Sequence, residues 1–259
     1  MSTATRACKR LVAETKRYNE SRKFELARGQ QPYYYYFTNP DNVQQGYGLC
    51  LGPQGTPFQG GFFLIEFTYS DLYPTEPPTC KYITVCPYRQ CANLYVNGYV
   101  CLSTINTWPD KNVSGWKATL GFEAVLKAIC SDSLVKPALS AEPSSKAQTK
   151  DHLETFDHIA RYCTLKYNVG KMYELDFLPP QVLEQLKAVI KEQVLANQDW
   201  YRTQLAELSA SPIQGATISS YYGDKATGGG PAQKVKIDYL AVAQDLEQFL
   251  ACLSAPDLA

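Results

Sequence analysis

Histidine is scarce in this chain, two in 259 residues, and its nine cysteines include no C-x-x-C pair. Structural zinc sites are built from such pairs and from imidazoles. The intervals from Cys80 to Cys86, Cys91 and Cys101 follow no usual ligand spacing, so neither a metal nor a cofactor is expected. Long apolar runs are missing as well. Nothing approaches the ~20 residues that span a bilayer, the first twenty positions are charged throughout, and no lipidation signal closes the sequence. A membrane is therefore not an expected partner, and unpaired cysteines suit a thiol-reducing compartment, the cytoplasm or nucleus. Net charge is zero, although unevenly spread. Residues 1–30 carry +5 and residues 170–259 carry −4. The basic start suits an acidic protein surface; without interleaved aromatic and basic residues, nucleic acid is not expected.

What is present is a substantial apolar fraction, 45%, enough for a globular core. The length fits one domain of ordinary size followed by an extension. Ala4, Cys8, Leu11 and Tyr18 recur at helical spacing, which predicts a first amphipathic helix with Lys9, Arg10, Lys16 and Arg17 on its wet sides. Four apolar runs follow, 33–38, 46–51, 62–69 and 79–85, separated by proline- and glycine-rich joints. In the third, Phe63, Ile65, Phe67 and Tyr69 alternate with Phe62, Leu64, Glu66 and Thr68, a strand with one wholly apolar face. Short connections between successive strands predict a four-stranded antiparallel meander and an α+β class.

Helices follow the strands. Phe122, Val125, Leu126 and Ile129 share one face, as do Leu153, Phe156, Ile159, Ala160, Cys163 and Tyr167. Pro179-Pro180 opens one long amphipathic helix running to residue 208, since proline is tolerated in a first turn. Residues 209–234, rich in Ser, Gly, Thr and Ala, read as a flexible linker, and 235–259 hold a last amphipathic helix. Such a helix is marginal alone and should pack on the main domain or a partner.

The chemistry centres on Gln90 to Ser103. Asn97-Gly98 is a tight-turn signal, because glycine tolerates positive φ and asparagine nearly so. Cys101 follows three residues later between Val100 and Leu102, on a short extended piece whose sulfur could face a shallow surface. A thiolate is both nucleophile and tolerable leaving group, which acyl exchange between thioesters requires.

This stretch resembles the ubiquitin-conjugating enzymes, in which the acceptor cysteine follows the pattern N-G-x-I/V-C-L and an H-P-N asparagine lies eight residues before it. Asn93 stands at that spacing, but the tripeptide reads Cys91-Ala92-Asn93. The family's G-P-x-x-S/T-P-F/Y-x-G-G is matched by residues 52–61, its Y-P-x-x-P-P by Tyr73 to Pro78, and its later tryptophan by Trp116. Trp116 lies fifteen residues past Cys101, beyond an extra loop containing Thr107-Trp108-Pro109-Asp110, as in large members of the family. The resemblance covers roughly residues 4–169, leaving a helical extension over 170–208.

It implies that Cys101 accepts ubiquitin or a ubiquitin-like protein from an activating enzyme and passes it to a substrate lysine or a ligase. Asn93 would donate to the oxyanion or hold the loop, and Glu142 would orient the incoming lysine. Lys9 and Arg10 match the pair that meets the activating enzyme. Thr75, Lys117 and Thr119 stand where RING-type ligases grip the family, without its usual apolar knob. The bland readings are a buried structural cysteine, a turn asparagine and a solvated acid. Two other functions stay open: an inactive ubiquitin-binding scaffold of the same fold, and a cysteine hydrolase needing His152 or His158 as base.

Overall fold

The structure is a computed structural model that describes residues 3–108, 115–140, 149–220 and 233–255. Helix α1 (Thr3–Ala27) leads into β1 (Tyr34–Thr38), β2 (Gln45–Leu51), β3 (Phe62–Thr68) and β4 (Thr79–Ile83). The four strands form one antiparallel sheet in chain order, the expected meander. Its register pairs Tyr36 with Gly48 and Leu49 with Leu64, so each strand sends alternate residues to opposite faces.

One face, with Tyr36, Cys50, Phe63, Ile65 and Phe67, packs on α1 and on α2 (Phe122–Ala128), where Phe122, Val125 and Leu126 are buried as their spacing predicts. Gly48 is needed here, because a Cβ would stand 2.4 Å from a Leu126 methyl. On α1 the inward residues are Ala7, Leu11, Glu14 and Tyr18, with Cys8 only half-buried. Glu14 is tolerated inside because Arg10 and the Tyr73 hydroxyl, at 2.7 Å, both donate to it.

The other face, with Phe37, Tyr47, Leu49, Phe62 and Leu64, is equally buried. Its cover comes from α3 (Lys150–Tyr167) and from everything after it: α4 (Gly170–Tyr173), α5 (Pro180–Ala196), α6 (Gln198–Ser209) and α7 (Tyr239–Ser254). Val182, Leu186, Ile190 and Val194 form the buried stripe of α5, and Gln193 donates to the Tyr35 hydroxyl of β1 at 3.4 Å. Arg202 and Glu247 pair in two hydrogen bonds, 2.8 and 3.0 Å, across α6 and α7.

Two expectations for this region need correction. The single helix over 180–208 is broken at Asn197, whose backbone leaves the helical region so that α6 turns back toward the Gly52–Gly61 loop. There the Tyr201 hydroxyl donates to the Gly60 carbonyl. The linker over 209–234 is ordered at both ends, where β5 (Thr217–Ser220) and β6 (Gln233–Lys236) pair antiparallel, while 221–232 lie outside the described residues. Val235 and Ile237 are fully buried, and two alternating apolar residues suffice to anchor the ribbon. Replacing Ile190 by alanine should therefore cost about 2–4 kcal/mol through the cavity left under the extension. A urea midpoint unchanged in Ile190→Ala would contradict this packing.

Candidate active site

The region before Cys101 folds as a small hairpin. The Gly98 amide donates to the Tyr95 carbonyl at 2.9 Å, and Gly98 adopts φ +89°. The Asn97 side chain accepts the Tyr99 amide at 3.0 Å, completing the turn that Asn-Gly announces. Leu94 bridges Val100, and the Tyr82 amide donates to the Gly98 carbonyl at 2.8 Å, so the hairpin leans on β4.

Asn93 and Cys101 face each other across this hairpin and bond reciprocally. The Cys101 amide donates to the Asn93 carbonyl at 2.9 Å, and Asn93 Nδ2 donates to the Cys101 carbonyl at 2.9 Å. A carbonyl can only accept, so this contact fixes which end of the Asn93 amide points at the cysteine. Asn93 is only 4% exposed, and its Oδ1 is buried with no partner. Cys101 is buried, with 7% of its surface exposed, and is not the openly surface-facing residue that its sequence position suggested.

Three residues to which sequence reasoning gave no role of their own hold the frame. Arg89, buried, donates from Nη2 to the Ala92 carbonyl at 2.6 Å and lies 3.9 Å from the Tyr95 ring centroid. Gln90 donates to Asn168 Oδ1 at 2.7 Å and to the Tyr82 hydroxyl at 3.0 Å, tying the loop to the end of α3. Thr107 accepts the Leu102 amide at 2.9 Å and donates to the Val100 carbonyl at 2.8 Å. Its position in a polar loop carried no signal beyond the residue type. A short helical turn, Ser103–Ile105, and Asn106 at φ +61° bring it back beside Cys101.

Where the family has the histidine of H-P-N, Cys91 is completely buried and its thiol donates to the Ser133 carbonyl at 3.4 Å. Burial pushes this thiol from an ordinary value of 9.0 up to about 11, against the smaller opposing pull of the Asn93 and Leu94 amides. Cys91 is thus a neutral donor that joins the loop to the turn after α2.

The remaining predicted residues divide. Trp116 donates from its indole to the Pro74 carbonyl at 2.8 Å, which brings the loops bearing Thr75 and Lys117 together; Thr75, Lys117 and Thr119 are all exposed. Leu72, 49% exposed beside them, is an apolar surface residue in that loop. Lys9 is exposed on α1, whereas Arg10 turns inward onto Glu14 and the Leu120 carbonyl at 3.1 Å. Glu142 and residues 109–114 of the extra loop lie outside the described residues. No cluster of histidine, cysteine or carboxylate suited to a metal occurs among the described residues, nor is any described helix long and apolar enough to cross a membrane.

A meander flanked by helices, with a turn-borne cysteine paired to an asparagine, has the form of a ubiquitin-conjugating domain, and the comparisons agree. The family model for ubiquitin-conjugating enzymes matches residues 13–164, over half the chain, and the chain belongs to that family. It is similar to ubiquitin-conjugating enzyme E2 Z of Homo sapiens, 29% identical over 193 residues that cover 73% of this chain and 52% of the relative. E2 Z of Danio rerio is 28% identical over 189 residues, covering 72% and 55%. Ubiquitin-conjugating enzyme E2 2 of Trichoderma harzianum is 30% identical over 106 residues, covering 41% and 62%. The chain spans about half the length of the E2 Z relatives.

The Cys91 thiol generates a pH prediction. Unfolded, it would release its proton near 9; folded, it holds the proton to about 11. Its contribution to stability is complete below pH 9 and declines as pH rises through 11. Chemical denaturation across that window should show a shallower decline for Cys91→Ala than for the parent, and identical slopes would contradict the assignment.

Proposed function

We propose that the chain accepts ubiquitin or a ubiquitin-like protein as a thioester on Cys101, from an activating enzyme, and transfers it to a substrate lysine or a ligase cysteine. The supporting observation is the reciprocal pairing of Cys101 with Asn93, which fixes the backbone on both sides of the sulfur. In loading, the Cys101 thiolate attacks the thioester carbon on the activating enzyme; a new C–S bond forms, the old one breaks, and the enzyme's thiolate leaves.

Asn93 serves first as a positioning residue, because one Nδ2 hydrogen is committed to the Cys101 carbonyl. Its second hydrogen is the donor for the oxyanion that forms as lysine attacks. Glu142 receives the ammonium of the incoming lysine, in keeping with its position in the sequence ahead of α3. On α1, Lys9 and Arg10 are the pair that meets the activating enzyme, Arg10 also bonding Glu14 and the Leu120 carbonyl. The exposed ledge of Thr75, Lys117 and Thr119, with Leu72, takes a RING-type ligase. The cytoplasm or nucleus is the proposed compartment, consistent with nine cysteines of which none forms a disulfide among the described residues.

Incubation with activating enzyme, ATP and ubiquitin should yield an adduct removed by reducing agent. Cys101→Ala should abolish it and Cys91→Ala should retain it. Absence of any adduct with ubiquitin and with every ubiquitin-like protein tried, or one surviving Cys101→Ala, would overturn the reading.

A further inference from the structure

The extra loop after the cysteine brings Thr107 beside Cys101, with one direct contact to its thiol and further bonds to Tyr99, Val100 and Leu102. Its hydroxyl clamps the peptide groups on either side, accepting from the Leu102 amide at 2.9 Å and donating to the Val100 carbonyl at 2.8 Å. Its main-chain carbonyl oxygen receives the Cys101 thiol at 3.6 Å and the Tyr99 hydroxyl at 2.9 Å. The hydroxyl sets where the carbonyl lies, because the Thr107 amide also closes onto the Leu102 carbonyl at 3.1 Å, making a tight ring of bonds over residues 100–107. Tyr99 itself is 41% exposed.

A carbonyl oxygen has two lone pairs. In the resting protein Tyr99 occupies one and the thiol hydrogen occupies the other. When an acyl group replaces that hydrogen on sulfur, the second lone pair loses its donor while remaining next to the thioester. An amine approaching the thioester carbon carries N–H groups, and the lone pair vacated by the thiol is an acceptor beside it.

We infer that Thr107 is a positioning residue for Cys101 through its hydroxyl, and that its main-chain carbonyl is the acceptor for an N–H of the attacking lysine once Cys101 carries its cargo. This rests on the proposed carrier function. As the amine attacks, the C–N bond forms and the C–S bond breaks. The proton lost from nitrogen passes to the departing sulfur, which restores the thiol and its contact with the Thr107 carbonyl. The carbonyl accepts a hydrogen bond throughout and takes up no proton. Tyr99 competes for the same oxygen, so it tempers the acceptor instead of assisting it.

Single-turnover discharge of the preloaded thioester to free lysine, over a range of lysine concentrations, tests this in the full chain. Thr107→Val keeps the shape of the side chain but removes the clamp. It should load, yet lose about tenfold in kcat/KM for lysine, the scale of one misplaced hydrogen bond. Thr107→Ser, which retains the hydroxyl, should discharge within about twofold of the parent, since side-chain bonds of this kind depend on the oxygen. Tyr99→Phe, a change at an exposed ring that leaves folding intact, should lower the apparent KM for lysine by about two- to threefold as the carbonyl regains a lone pair. A Thr107→Val protein that discharges normally, a Thr107→Ser protein as slow as the valine variant, or a rise in KM for Tyr99→Phe would each overturn the inference. These outcomes are read on thioester already formed by the parent chain. Failure of the parent to form one would instead overturn the carrier function itself.

Discussion

Asn93 and Cys101 each give the other a donor and an acceptor, and the rest of the site is arranged around that exchange. Both residues are nearly buried, so water does not compete for the two bonds. Each bond contributes about 1 kcal/mol net, but breaking either one strands a buried polar group at a larger cost. That asymmetry keeps the hairpin in one register. In that register the main chain on both sides of the sulfur is immobilised by Thr107 and by the bridge between Leu94 and Val100.

The frame extends outward through buried polar contacts. Gln90 and Asn168 connect the hairpin to the end of α3, where the extension begins, and Asn168 Nδ2 also donates to the Phe62 carbonyl at 3.0 Å. Cys91 connects it to the turn after α2. A thiol there does a smaller version of what an imidazole could do: it donates one hydrogen bond, to Ser133, and otherwise behaves as an apolar side chain. The extension is integral for a similar reason. Without it, the apolar face of Phe37, Tyr47, Leu49, Phe62 and Leu64 would keep only the cover that α3 supplies.

Much of this was legible in the residues. Alternation in β3, proline and glycine at the joints, and helical spacing around Val125 and Phe156 are local signals, and the sheet, α2 and α3 follow from them. Phe62 and Leu64 also carried a hint that the sheet's second face is covered, since both are large and apolar. The break at Asn197 was hidden because the amphipathic pattern runs through it, and only contact of Tyr201 with Gly60 shows why the chain turns. The β5–β6 ribbon was masked by its Ser- and Gly-rich composition, as Ile218, Val235 and Ile237 are too few to set a period. At the site, Asn97-Gly98 and the spacing of Asn93 from Cys101 could be read directly. Arg89 and Thr107 could not, because an arginine buried over a tyrosine and a loop threonine bonding back five residues are products of tertiary geometry.

Hydrogen exchange at the Cys101 amide tests the central claim most directly. That N–H donates to the Asn93 carbonyl inside a bonded ring, so it should exchange only through large-scale opening, as slowly as the amides of β3. An Asn93→Ala substitution should release it to faster, local exchange while β3 stays protected. A Cys101 amide that exchanges in the parent protein as fast as an exposed loop would show that the reciprocal pair does not hold the cysteine.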